Sequence, residues 1–260
     1  MIFLAALGAL STGALAEPLP ADPLNSPMWD YHAQRLFADM PVRFDERVKV
    51  DMPVIAENQH VFPVTVDARA LPGVKRIILF ADLNPIPVAL DYRPLAAEPF
   101  VATRIKLDQR TPVRAAVLLE DGTWHVSGGW VDASGGGCSA PPVSRVKGDW
   151  AEHLGEMRGS GWREGSETRL RVSFRHPMDT GLVENIPAYN IESVSVTGAN
   201  GVQIASMQVF GSVAEDPSFT LIVDDPGNGP FSVSAHDTGG LEFNGSIIKA
   251  TRPVLSVSGQ

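Results

Sequence analysis

Along most of the chain, apolar residues alternate with polar ones or run in short β-branched stretches, a pattern that predicts strands. Residues 48–52, 62–66, 75–81, 100–107, 113–119 and 123–131 all read this way, with turn residues between them. Leu71-Pro72-Gly73 and Glu120-Asp121-Gly122 are turn sequences, and the second predicts a hairpin. Asp82-Leu83-Asn84-Pro85-Ile86-Pro87 reads as a turn-rich loop after a strongly apolar strand. Six or seven short strands at such spacing predict an antiparallel sandwich of the immunoglobulin kind. The pattern resumes at 168–174, 191–197, 202–209, 218–223, 231–235 and 245–255, with turns at Asn200-Gly201 and Asp225-Pro226-Gly227-Asn228-Gly229. Helical spacing occurs near the start, where Trp29, Ala33, Leu36, Phe37 and Met40 predict an amphipathic helix over 28–39, ended by Pro41. The expected fold class is all-β: two immunoglobulin-like β-sandwich domains, over 28–133 and 162–255, with a short N-terminal helix.

Between the two halves the pattern breaks. Residues 134–161 are expected to form a tether and linker, beginning Ser134-Gly135-Gly136-Gly137-Cys138-Ser139-Ala140-Pro141-Pro142. From 144 to 161 the chain is polar, with Trp150, Leu154 and Met157 at spacings a short helix could use. Ahead of the first helix, residues 1–10 are almost wholly apolar and Ala14-Leu15-Ala16 offers small residues for cleavage. That pattern predicts a signal peptide over 1–16 and export, most simply to a periplasm. No later stretch reads as a transmembrane segment, so no stable membrane insertion is expected.

Composition changes the picture in two ways. A formal charge of -9 argues against a general nucleic-acid partner, because phosphate contacts need a basic surface. A single cysteine, Cys138, excludes an intramolecular disulfide, cysteine-only zinc sites and CxxC redox chemistry within one chain. Each half is long enough to bury a core without such staples.

Cys138 is therefore the main chemical candidate. A free cysteine is usually a small buried hydrophobe. This one lies outside any apolar run, and Gly135, Gly136 and Gly137 predict a flexible tether that presents the thiol to solvent or to a partner's pocket. No Lys, Arg or His lies within five residues, so activation of the thiolate must come from the fold or from a partner. The bland alternative is a linker with an incidental cysteine. His32, His60, His125, His153, His176 and His236 show no metal-ligand spacing, and no metal or cofactor is expected. Asp224 to Gly229 has calcium-loop composition without the spaced ligands or closing glutamate. The three glycines lack the Lys-Ser/Thr of a phosphate loop, and no GxSxG is present.

At these residues the chain resembles a known family. The Gly-Gly-Cys tether after a β-domain, together with Pro53-Val54-Ile55-Ala56-Glu57-Asn58 and Leu79-Phe80-Ala81-Asp82-Leu83-Asn84-Pro85-Ile86-Pro87, is similar to SoxY, the sulfur-carrier subunit of bacterial thiosulfate oxidation. His176-Pro177-Met178-Asp179-Thr180-Gly181-Leu182 and Ile186-Pro187-Ala188-Tyr189-Asn190-Ile191 resemble its partner SoxZ. The order matches fused SoxYZ-like carriers, a group associated with quinoprotein (pyrroloquinoline-quinone) dehydrogenase systems. The resemblance implies a non-enzymatic carrier that holds a sulfur intermediate covalently on Cys138, as a thiosulfonate or persulfide, while periplasmic sulfur-oxidation enzymes load and process it. The 176–181 run would be structural or part of the contact with the first domain. In SoxY the tether ends the chain. Here Ser139-Ala140-Pro141-Pro142 follows, so the arm is tied at both ends and cannot be threaded end-first.

The competing readings are an accessory module of a quinoprotein dehydrogenase with a dispensable thiol, a thiol enzyme, which would need a nearby base, and copper delivery, which has no spacing support. An exposed lone thiol would also permit a disulfide-linked homodimer.

Overall fold

The computed structural model describes residues 18–224 and 229–250. The expected signal peptide, the turn at 225–228 and the last residues of the expected final strand, 251–255, lie outside the described residues.

The first half carries α1 (Trp29–Phe37), β1 (Val42–Phe44), β2 (Lys49–Asp51), β3 (Phe62–Asp67), β4 (Val74–Ala81), β5 (Val88–Arg93), β6 (Phe100–Ile105), β7 (Thr111–Leu119) and β8 (Trp124–Val131). The second half adds α2 (Val143–Lys147), β9 (Met157–Glu164), β10 (Glu167–Phe174), β11 (Ile191–Thr197), β12 (Gln203–Val209), β13 (Ser218–Asp224), β14 (Phe231–Asp237), β15 (Glu242–Ile247) and β16 (Lys249–Ala250). Two sheets form, in the orders β1-β8-β7-β4-β5-β12-β11-β14-β15 and β16-β9-β10-β13-β6-β3-β2. Each half contributes strands to both sheets, so each is a sandwich, and the all-β fold class holds.

The halves are joined more closely than two beads on a linker. β5 pairs antiparallel with β12, from Arg93 opposite Ser206 to Leu90 opposite Val209. β6 pairs with β13 through Ala102–Thr220 and Val101–Leu221. Both sheets therefore run through the whole molecule, and one apolar cluster fills the space between them, from Val64, Leu79 and Tyr92 to Met207, Phe219 and Val233. Side-chain alternation on the strands puts these residues on the inner faces.

The helix explains an exception to that alternation. β4 carries the unbroken run Ile77-Ile78-Leu79-Phe80-Ala81, all buried. Leu79 and Ala81 face the sandwich, while Ile78 and Phe80 face outward and are covered by Trp29, Ala33 and Phe37 of α1. Phe37 sits 5.1 Å from Trp124 and Trp29 5.0 Å from Phe44, centroid to centroid. The helix is shorter than the expected 28–39, and Ala38 breaks it with φ 52°.

Three strands were not foreseen, and one changes the linker. β1 and β5 lie in stretches the pattern left unassigned; Asp91 inside β5 is a poor strand former, tolerated because Arg76 holds it at 2.6 Å and 2.8 Å. β9 begins within the expected linker 134–161 and pairs with β10 along its length. Gly159 and Gly161 hide it, since glycine weakens the strand signal. The expected helical spacing at Trp150, Leu154 and Met157 is not used, and the short helix lies earlier, at α2.

Candidate functional site

The tether is docked against the first sandwich. Gly135 and Gly136 adopt φ of 99° and 84°, a left-handed turn open to glycine at little cost. Gly137 then presses onto the chain leaving β6. A Cβ there would lie 2.3 Å from the Leu107 carbonyl and 2.4 Å from that of Gln59, and the Gly137 amide donates to Leu107 O at 3.1 Å. One oxygen of Asp108 accepts the amides of Cys138 (2.9 Å) and Ser139 (3.1 Å) and the Ser139 hydroxyl (3.0 Å). Asp108 is itself set by Asn84, whose side-chain oxygen accepts its amide and whose amide group donates to Lys106 O. The turn-rich loop after β4 thus supports the floor beneath the cysteine.

The second half closes over it. The Thr180 hydroxyl donates to the Cys138 carbonyl at 2.7 Å. Two residues earlier Met178, with φ 51°, offers its carbonyl to the Lys106 ammonium, which also donates to Gly211 O at 2.8 Å. The intervening Asp179 is buried and bonded by Arg145 of α2. Glu215 accepts the amides of Val143 (2.8 Å) and Ser144 (2.7 Å) at the start of α2. At the other end, Asp132 exchanges backbone bonds with Val54 and Ala56. The segment is therefore fixed before and after the cysteine, and residues 176–181 contribute directly to its seat.

This corrects the expectation of a solvent-presented thiol. Cys138 is 0% exposed. The glycines serve close packing and a sharp turn here, and Asp108 gathers donors that a free tether would leave to water. Burial pushes the thiol up to about 12, only partly opposed by the Lys106 ammonium. Burial likewise lowers Lys106 to about 8, against the attraction of Cys138, Asp179 and Glu215. A neutral thiol beside a buried cation is the form that results near pH 7. Lys106 is the basic group that the tether's own sequence lacks; it lies 32 positions upstream, beyond the reach of any spacing rule.

No histidine joins Cys138. His176, its ring 4.6 Å from Tyr189, faces Asp237 instead. His125 meets Asp45, His153 meets Glu156, His236 meets Glu192, and His32 meets the Asp82 carbonyl. Among the described residues no group of His, Cys, Asp and Glu is placed to hold a metal ion. No described helix is long and apolar enough to cross a membrane. A cavity of about 700 Å³ lies on the polar face of β11, β12 and β14 and shares no residue with this seat. A second, about 590 Å³, includes Thr180 and Gly211 and so adjoins it, with Ile86, Val209 and Phe210 as apolar lining.

A double sandwich whose single thiol is clasped between its halves is the geometry that the comparisons address. Residues 33–138 match the sulfur oxidation protein SoxY, the match ending on Cys138, and residues 157–247 match the sulphur oxidation protein SoxZ. The chain is a SoxYZ-like fusion. Among solved structures, the sulfur carrier protein SoxY from Chlorobium limicola f thiosulfatophilum is 23% identical over 41% of this chain and 96% of its own, with a TM-score of 0.37. A β-glycosidase from Bacteroides vulgatus is 11% identical over 83% of this chain and 26% of its own, with a TM-score of 0.23. The SGBP-B protein of the mixed-linkage glucan utilization locus of Bacteroides ovatus is 14% identical over 82% of this chain and 46% of its own, with a TM-score of 0.21. At these TM-scores none of the three adds to the reading of the SoxYZ-like site. No curated protein matches the fusion.

Proposed function

We propose that the fusion is a non-enzymatic carrier that binds sulfur-containing groups covalently on Cys138 and offers them to sulfur-oxidation enzymes. The observation that carries this reading is the clasp: a lone thiol at the junction of the SoxY and SoxZ regions, on a residue whose backbone amide and carbonyl are held by one carboxylate and one hydroxyl. In the docked state the thiol is protonated and shielded. Leaving the seat returns it toward its ordinary 9.0 from about 12, which raises the thiolate fraction near neutral pH about a thousandfold. Docking is then the resting state and release the loading state. The partners are sulfur-oxidation enzymes, the compartment is the periplasm reached through residues 1–16, and a disulfide-linked dimer requires two released arms.

Intact-mass analysis after incubation with a sulfur donor and candidate partner enzymes tests this. An adduct on the wild type and none on Cys138→Ser is expected. Equal mass gain in both proteins, or none in either with enzymes competent on a SoxY control, would remove the carrier reading. Full support of a quinoprotein dehydrogenase by Cys138→Ser would favour the accessory role instead.

A further inference from the structure

The outer face of the seven-stranded sheet collects arginine. Along β10 the inward residues Leu170, Val172 and Phe174 are buried, so the alternate positions, Arg171 and Ser173, point outward, and Arg175 follows. Ser173 stands opposite Arg158 of β9 and opposite Ser218 of β13; Arg171 stands opposite Thr220 of β13. Arg104 comes from β6, on the far side of β13. A cavity of about 320 Å³ lies on this face, with Arg104, Arg158, Arg171, Arg175 and His153 in its lining.

These guanidinium groups are only partly neutralised by their surroundings. The two carboxylates in the lining are Asp216 and Glu156, so four guanidinium groups and His153 face two carboxylates. Asp216 is taken by Arg175, and Glu156 by His153 at 2.7 Å. Arg171 donates to Ser218 Oγ at 3.1 Å. Among the described residues Arg104 reaches only the Asp216 backbone carbonyl, at 3.2 Å, and its buried Nε meets no acceptor. Burial and the adjacent Arg171 charge both hold Arg104 below its usual pKa. An orphaned donor beside a like charge costs stability until an acceptor with negative charge bridges them. The guanidinium fork matches the oxygen spacing of a tetrahedral oxyanion, and two long side chains reaching across β13 from the strands on either side of it can share one.

We propose that this hollow is a binding site for a divalent tetrahedral oxyanion, with sulfate as the simplest member, bridged by Arg104 and Arg171 and closed by Arg158. The small volume and the buried Arg104 donor favour a small ion over an acidic peptide. The site is separate from the Cys138 seat, and its ligand is held without a covalent bond.

The test is calorimetric titration of Cys138→Ser protein, in which no sulfur group can attach, so the result is independent of the carrier reading. Sodium sulfate, phosphate and thiosulfate are compared with sodium chloride at equal ionic strength. One sulfate per chain is expected, with no matching signal from chloride. Arg104→Gln and Arg171→Gln should each weaken binding by about tenfold to a hundredfold. Arg158 is exposed on its strand, so Arg158→Gln should stay folded and weaken binding about threefold to tenfold, which keeps the test decisive if Arg104→Gln fails to fold. A sulfate signal no greater than chloride, or one unchanged in Arg171→Gln and Arg158→Gln, overturns the proposal. So does tight binding of a polyglutamate peptide that sulfate cannot displace, which would assign the face to a protein partner.

Discussion

Cys138 and its three glycines were visible in the sequence, but what the glycines do was not. Gly136 has open space around its missing Cβ and is needed only for its φ of 84°, whereas Gly137 has backbone oxygens at 2.3 Å and 2.4 Å from that point. The two should therefore respond differently to alanine. Gly136→Ala costs about 1–2 kcal/mol of left-handed strain, enough to raise the rate of Cys138 alkylation about tenfold. Gly137→Ala cannot dock at all, and Cys138 in it should react with a maleimide at the rate of an unfolded control. Asp108→Ala removes the acceptor of three hydrogen bonds. With each worth about 1 kcal/mol net, alkylation should rise about 100-fold. Equal rates in wild type and Asp108→Ala would mean that the clasp does not control access. Composition pointed to a flexible linker because nothing local betrays a long-range fit. Gln59, Leu107 and Asp108 come from two earlier connections, and only the fold brings them to the glycines.

Elements were legible where one face of a strand met the core and the other met water. β11 matches its expected bounds, 191–197, because Val194 and Val196 alternate with polar neighbours. β5 and β9 escaped, the first for its internal carboxylate and the second for its glycines. α2 escaped because a five-residue helix has no period to read. Its stability is tertiary: Glu215 caps its start and Arg145 reaches the wholly buried Asp179, with Trp150 stacked 3.6 Å from the guanidinium carbon. Arg145→Met would leave that carboxylate unpaired. A loss of about 3 kcal/mol is expected, read as a lower urea midpoint with an unchanged slope. A midpoint within error of wild type would show that α2 is not fastened through this pair.

For the whole molecule, two sandwiches were readable as two runs of strands, but their union was not, since edge pairing between β5 and β12 leaves no period in either partner. With shared sheets and one apolar cluster, the SoxY and SoxZ regions should melt together. Calorimetry is expected to give one transition whose van't Hoff and calorimetric enthalpies agree, and two resolved transitions would contradict the shared core. Acid should act through His176, which burial pushes down to about 4 from 6.5. Between those values the unfolded chain binds the extra proton, so stability is full above about pH 6.5 and declines as pH falls toward 4, by about 3 kcal/mol in total. Subtracting the pH profile of His176→Gln from that of wild type should isolate this slope; parallel profiles would refute it. The double anchorage of the arm has one more consequence, which is a matter of leash length. From Cys138 to the Glu215-capped Val143 is five residue steps, about 18 Å fully extended. From Asp132 forward it is six, about 22 Å. The sulfur can therefore travel only within the overlap of two small spheres. Any enzyme that receives it must bring its own reaction centre inside that volume, resting against the rim around α2, and must admit a doubled chain through an open cleft.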